Sequence, residues 1–487
     1  MKKLFISIAI FLMAIDIHAQ KEFTIEGDVK ALKEGTIINL FFMDGNAGRM
    51  IASDTIGVDG KFIFKTNIED KNIVKYSIIG IGEELPPMSL DLYGAAGKKI
   101  SVTGNDELIY TWKVNSDIEQ QKDRAKFIEN SLAEWKEVQK LYIKASRKGL
   151  EQEERKKILK SIDSLESKID ENYIVLMKTM NRSEIWLEEL SKLSRNASYL
   201  GKAFPFREDI INLYESLDKE QKKSLIGLKI EANLFPPKVV EVGDIAQDAD
   251  LFDLNGEKHH LSDMRGKYIL MDFWSSGCGP CIMAIPEMGE ISELYKDKLE
   301  VVSLSIDRMK SWKDASAQHK MTWHNWNEMK EDGGIYAHYG VRGIPFYVII
   351  SPEGKIISKW TGYGKGLLKM KMKRWIVDTP SKVAQKSSAD NIVIMDVKSE
   401  NDSTKVILRV YQAPNFWVKI SSDTHIKLQD GTTLKIKGAD KIKLDEEHFF
   451  RDEFSEDYSL YFDKLPKGCK RFDFIESEGW VIKDVTL

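Results

Sequence analysis

Cysteine is scarce in this chain: 487 residues hold Cys278, Cys281 and Cys469 and no other. So few thiols cannot staple a chain of this length, which excludes a disulfide-built scaffold. They also supply a single Cys-x-x-Cys, half of what a four-ligand zinc site needs, so no metal is expected. A dominant sign of charge is lacking too. The 72 Lys and Arg stand against 76 Asp and Glu, a net charge of −4, with no basic patch of the sort nucleic acid requires. After the first twenty residues no apolar run is long enough to read as a bilayer span. Walker, His-Glu-x-x-His and nucleophile-elbow motifs are missing. His259 and His260 are adjacent, so in a strand they point to opposite faces and share no metal. Gly362-Tyr-Gly-Lys-Gly366 reads as a turn before a helix, too weak a pattern for a phosphate site.

What is present begins at the N-terminus. Met1-Lys2-Lys3 precedes an apolar run, Leu4 to Ile15, broken only by Ser7, and Asp16-Ile-His-Ala19 ends it on a small residue. This order predicts a signal peptide over 1–19, cleaved after Ala19, and export to a bacterial periplasm. The run is shorter than the roughly twenty apolar residues of a spanning helix, which leaves a membrane-anchored form as the rival. No cysteine stands at the cleavage site to take a lipid.

The richest segment is Tyr268-Ile-Leu-Met-Asp-Phe-Trp-Ser-Ser-Gly-Cys-Gly-Pro-Cys281. An apolar strand breaks at Ser275, Ser276 and Gly277. It then meets a helix with Met283, Ala284, Ile285, Met288, Ile291, Leu294 and Tyr295 on its apolar side. Cys278 therefore falls at a helix N-terminus, where unpaired N–H groups and the helix dipole favour a thiolate. Cys281 follows one turn inside. The pattern predicts a dithiol/disulfide switch, with Cys278 attacking and Cys281 resolving. No cofactor is expected beyond the redox-active pair itself. Gly279 leaves the first sulfur accessible, and Pro280 suits the start of a helix. Asp272 interrupts the apolar strand, and burial there would raise its pKa and fit it for acid–base work. An exposed strand-end Asp is the alternative.

With Tyr339-Gly-Val-Arg-Gly-Ile-Pro345, the run Phe346–Ile350 and the turn Ser351-Pro-Glu-Gly-Lys355, this segment resembles thioredoxin-like proteins. Within them it is similar to the extracytoplasmic TlpA/ResA group, over about residues 241–377. The resemblance implies that Asp272 shuttles a proton to the resolving thiol. It implies a cis Pro345 beside the dithiol, with backbone groups open to a substrate strand and Ile344 facing the disulfide. Gly277, Gly279, Pro280, Ile344 and Trp274 would line the substrate side, although core packing explains Trp274 equally well. Two departures stand out. Gly277 replaces a usual Trp, which opens the surface beside Cys278, and Ser303 replaces a lysine that many relatives carry near the acid. A peroxiredoxin fits poorly, because Met271 occupies the proline position of its motif although Ser275 matches. The Gly-Pro pair between the cysteines matches reducing thioredoxins. The expected activity is reduction of disulfides in exported proteins, with electrons from a membrane thiol donor. An oxidase or isomerase of the same fold, or a binding module with an incidental dithiol, are the alternatives.

Around this domain the pattern changes several times, so a multidomain chain is expected. Alternating strands over 20–116 predict a β-sandwich, as the same group often carries. A three-and-four spacing through Ile158, Ile162, Leu165, Ile169, Tyr173 and Leu176 predicts a helical region over 117–237. Ser146–Gly149 should break it into a hairpin, with capping boxes at Asn181/Glu184 and Asp218/Gln221. Residues 238–378 read as the thioredoxin-like α/β domain, a mixed sheet with helices on both faces. Residues 379–390 read as a linker and 391–487 as a β-rich sandwich without visible chemistry. Trp323, His324 and Trp326 read as core, and Cys469 as a structural free thiol.

Overall fold

Phe23, Ile25 and Val29 lie buried along the strand Gln20–Val29, and the apolar face they make meets that of a second sheet. The computed structural model describes residues 20–45, 47–69, 72–82, 84–451, 453–477 and 479–487, so the expected signal segment 1–19 lies outside the described residues. The chain divides into two compact units, the first ending at Lys238 but including Lys330–Ala337, the second formed by Val239–Met329 and His338–Leu487.

In the first unit two four-stranded sheets share one core. Lys61–Glu69, Gln20–Val29, Lys99–Gly104 and Lys113–Asn115 form one; Ala47–Thr55, Ile37–Asp44, Ile73–Ile81 and Ser89–Ala95 form the other. Helices follow, and Leu132–Ala145 and Gln152–Met177 fold back across Ser146–Gly149 as the spacing suggests. Asp218 and Gln221 make a reciprocal capping box. The Asn181 cap does not form: the extended Ser183 caps Glu184–Leu200 instead, its hydroxyl accepting from the Trp186 N–H, which leaves Asn181 two positions outside. Lys330–Ala337 joins this unit, where the nearly buried Lys229 pairs with Asp332 at 2.9 Å.

Arg124 and Glu189 form an ion pair, both buried, between the helices Glu119–Asn130 and Glu184–Leu200. Lys192 adds a second cation to Glu189 at 2.8 Å.

The second unit carries a five-stranded sheet. Its elements are β1 (Tyr268–Trp274), α1 (Gly279–Leu294), β2 (Leu299–Ser305), α2 (Met309–His319), β3 (His324–Trp326), β4 (Phe346–Ile350), β5 (Ile356–Thr361) and α3 (Leu367–Met372). The order is β3-β2-β1-β4-β5, with the first three parallel, β4 antiparallel to β1 and β5 antiparallel to β4, the mixed sheet expected. β1 is central, so a residue near its middle is walled in from both sides, which is why its apolar run is unbroken but for Asp272. The register sets Asp272 beside Ser303 on β2 and Tyr347 on β4. The last helix, α3, stops at Met372, and a π-helical turn, Lys373–Val377, continues it.

Residues 379–390 are not a free linker. Lys386–Ser387 pairs with the strand Val481–Thr486, and the Gln385 amide clamps Ile394 through both its oxygen and its nitrogen. Asp390 takes the buried Lys371 of α3. Beyond it stands one continuous eight-stranded sheet rather than two stacked ones. Bulges at Ile394/Asp396, Ile436/Gly438 and Phe472/Phe474 let it curl around a single core that includes Val406, Leu408, Phe474 and Ile482. Arg409 ties it back to the helical end of the dithiol domain, holding Asp457 through two nitrogens and Asp378 at 3.2 Å.

Removing one member of the Arg124–Glu189 pair strands a buried charge, which costs about 3–5 kcal/mol. Arg124→Met should lower the unfolding free energy, read from urea titration of the helical far-UV signal, by that amount. The double change Arg124→Met, Glu189→Leu should recover most of the loss. Equal losses in both proteins would contradict this view of the pair.

Candidate active site

The loop after β1 is held from below. Ser276 N–H donates to the buried carboxylate of Asp307 at 2.6 Å, and Cys278 N–H to the Ser275 carbonyl at 3.1 Å. This anchoring delivers Cys278 to the N-cap of α1, where its sulfur accepts the Cys281 N–H at 3.2 Å. Cys278 and Cys281 are joined as a disulfide. Their burial differs: Cys278 is half-buried, whereas Cys281 is 2% exposed. On reduction, the N–H aimed at Cys278 and the helix dipole would stabilise negative charge on that sulfur. Gly279 and Pro280 are exposed, and a Cβ on Gly279 would meet nothing within 4 Å, so one flank of Cys278 is bare. Gly277 is exposed as well, its amide turned to the Ser275 hydroxyl at 3.2 Å.

Ile344 packs with Trp312 and Ala315 against the same cluster as Cys281, and the Ile344–Pro345 peptide is cis. The Pro345 carbonyl accepts from Gly362 N–H at 2.8 Å, fixing the loop to the end of β5. Trp274 belongs to this cluster too and is 1% exposed. Core packing accounts for it.

Asp272 is 5% exposed, which rules out the exposed strand-end alternative. Its Oδ2 accepts from the Ser303 hydroxyl at 3.1 Å, and its Oδ1 is buried without a hydrogen-bond partner among the described residues. Burial pushes its pKa up to about 7, with the Ser303 hydrogen bond pulling the other way. Trp323 Nε1–H donates to the Ser303 oxygen at 2.9 Å, and the Trp323 ring rests on Gly289 of α1. Trp323 is therefore tied to the acid and is not core alone. Trp326 is core as expected, stacked on His259 at 4.7 Å.

The apolar stripe of α1 also differs from the sequence pattern. Met283 and Leu294 are exposed, while Glu287 is buried among Cys281, Ala284, Met288 and Ile291. A carboxylate is tolerated there because it accepts from Tyr363 Oη, Gly366 N and Lys369 N, each at 2.9 Å, capping α3. No sequence spacing announces this, since the partners lie more than seventy residues on. Among the described residues, one group could approach a metal: Asp253, Glu257 and His259 bring ligand atoms within 4.8 Å of one another. Asp253 already accepts the Asn255 and Glu257 amides as a turn, and His260 turns away to Asp250. Cys469 is a half-buried free thiol against the C-terminal core.

Residues 242–359 match the AhpC/TSA family. A thiol-disulfide oxidoreductase ResA of Geobacillus thermodenitrificans is 32% identical over 139 residues, covering 28% of this chain and 79% of that protein. The thioredoxin-like protein YneN of Bacillus subtilis is 33% identical over 118 residues, 24% of this chain and 69% of that one. Among solved structures, the thioredoxin domain of a Bacteroides vulgatus thiol-disulfide oxidoreductase is 31% identical, covering 28% of this chain and 97% of its own, with a TM-score of 0.26.

The Asp272 carboxyl sets a sign for stability against pH. Its folded pKa of about 7 exceeds the ordinary 3.8, so the folded chain keeps a proton that the unfolded chain gives up. Its contribution to stability is full below about pH 4 and is lost as pH rises through about 7, a difference of about 4 kcal/mol. Asp272→Asn in the oxidised protein should flatten that slope and protect the β1 amides from hydrogen exchange more strongly than wild type at pH 8. Identical slopes in the two proteins would contradict the burial of an ionisable acid here.

Proposed function

We propose that this chain, which belongs to the ResA family of thioredoxin-like thiol–disulfide oxidoreductases, reduces disulfide bonds of exported proteins through Cys278 and Cys281. The observation that carries the reading is the asymmetry of the pair: one sulfur reachable at a helix N-cap, the other buried one turn inside. In the reduced protein the Cys278 thiolate attacks one sulfur of a client disulfide. That S–S bond breaks, a Cys278–client bond forms, and the first client sulfur leaves as a thiolate that takes up a proton. Cys281 then loses its proton to Asp272 and attacks the Cys278 sulfur. The mixed disulfide breaks, the Cys278–Cys281 bond forms, and the second client sulfur departs with the electron pair. Two electrons have moved to the client, and the oxidised pair must be reduced again by a thiol donor, for which a membrane protein is the expected source.

The bare flank at Gly277, Gly279 and Pro280 supports access by a bulky protein disulfide. The half-buried Ile344 would lie against an extended client segment as an added strand, while the buried Pro345, its carbonyl on Gly362, would hold the loop in place. Asp272, with a pKa of about 7, is suited to take and return a proton near neutral pH. A periplasmic location rests on residues 1–19 as a cleaved signal. Among the described residues no helix is long and apolar enough to cross a membrane.

Expressing the full chain with Cys281→Ala tests the assignment. Mixed disulfides with exported proteins should accumulate in the periplasmic fraction, run as high-mass bands on non-reducing gels and collapse on reduction. The captured chain should begin near Gln20. Cys278→Ala should capture nothing. Trapping by Cys278→Ala alone would reverse the roles, and no trapping by either would favour a binding module.

A further inference from the structure

The buried acid has two oxygens in different settings. Oδ2 faces the Ser303 hydroxyl at 3.1 Å, while Oδ1, equally buried, has no hydrogen-bond partner among the described residues. Behind Ser303 stands Trp323, its Nε1 2.9 Å from the same hydroxyl oxygen. An indole N–H can only donate, and a serine hydroxyl carries a single proton. Trp323 therefore makes the Ser303 oxygen an acceptor on one side. Among the described residues the contact with Asp272 is the one acceptor for the hydroxyl proton. The chain of hydrogen bonds runs one way, from Trp323 to Ser303 to Asp272.

We propose that Ser303 and Trp323 are positioning residues of the proton relay: they commit Oδ2 to accepting, and so make Oδ1 the oxygen that takes and returns the proton. This rests on the reading of Asp272 as the relay group. A proton on Oδ2 would turn it into a hydroxyl oxygen, a weaker acceptor for the Ser303 proton than a carboxylate or carbonyl oxygen. The arrangement thus disfavours that protonated form and tempers the effect of burial on the carboxyl. Trp323 is fixed from the far side, its ring against Gly289 of α1, where an added Cβ would come within 3.3 Å of it. The same helix that carries the dithiol therefore sets the angle of the indole. Chain polarity is a feature of these three residues, and it replaces a lysine's charge with a directed hydrogen bond.

Other titratable groups near the acid are few. From β4, Tyr347 faces Asp272 across the register, pushed up by burial and then by the charges of Asp272, Tyr363 and Glu287. Glu287 of α1 acts on the same Tyr347, and Ser303 of β2 supplies the hydrogen bond that opposes burial at the acid. In the oxidised protein the two thiols of the pair do not titrate, so the carboxyl can be followed alone.

The test is infrared titration of the buried carboxyl band in the oxidised full-length protein, with the band assigned by its loss in Asp272→Asn. Ser303→Ala should move the midpoint upward by about one to two pH units, the worth of a hydrogen bond to a charged group. Trp323→Phe keeps a ring against Gly289 and should move it upward by less. Ser303→Thr keeps the hydroxyl and should leave it in place. A midpoint unmoved in both Ser303→Ala and Trp323→Phe would overturn the proposal, as would an equal shift in Ser303→Thr. The relay itself is judged separately, by disulfide reduction rates in Asp272→Asn. If that rate equals wild type while the band still moves as expected, the relay reading fails and the positioning of the carboxyl stands. If the rate drops but the band does not move in the serine and tryptophan variants, only this inference fails.

Discussion

A carboxyl buried in the middle of the central strand, with a hydroxyl rather than a cation at its side, is the constraint on which the dithiol domain depends. Nothing in the packing of β1 asks for it: Ile269, Leu270, Met271, Phe273 and Trp274 are apolar and buried, and an apolar residue at 272 would pack with them. Burial makes the charged form costly, so the group is held near neutrality and lowers the stability of the fold above that point. A sequence that accepts such a cost in its central strand does so at a functional site more readily than elsewhere. The neighbours are arranged to contain it, with one oxygen bound through Ser303 and Trp323 and the other left open.

The helix above the acid transmits this order outward. α1 carries Cys278 at its cap and Cys281 in its first turn, rests Gly289 on Trp323, and lends Glu287 to cap α3. α3 in turn gives Lys371 to Asp390, at the threshold of the C-terminal sheet. The dithiol helix is thus linked through side-chain contacts to the domain that follows it. Each link uses a buried or half-buried charge with a defined partner, which fixes geometry more than it adds stability.

What could be read from the sequence was what is local. The strand, the breaking loop, Cys-Gly-Pro-Cys and the helix lie within one segment, so periodicity and capping chemistry sufficed to find the pair and its asymmetry. Asp272 was legible because an acid in an apolar strand contradicts its surroundings. Ser303 reads from the sequence only as a missing lysine, and Trp323 as core, because the hydrogen bond between them joins β2 to the loop before β3 across twenty residues. Glu287 and Asp307 leave no mark in the sequence either, since partners of both include backbone amides far along the chain, which carry no signature in residue identity. For Trp274 the sequence leaves substrate contact and core packing equally open, because nearness to the motif says nothing about depth, and the side chain is buried. The polar stretch 379–390 reads as a linker, yet its amide and serine side chains supply the hydrogen bonds that bind it to the sheet.

The direction of electron flow is the central claim, and the reduction potential of the Cys278–Cys281 pair tests it most directly. Equilibration of the purified full-length protein against glutathione buffers, with the two redox forms separated after thiol alkylation, gives that potential. A reductant of protein disulfides should lie near the thioredoxin value of about −270 mV at pH 7. A potential near about −120 mV, that of a strong oxidant, would contradict the reductase assignment and make the chain a donor of disulfides instead.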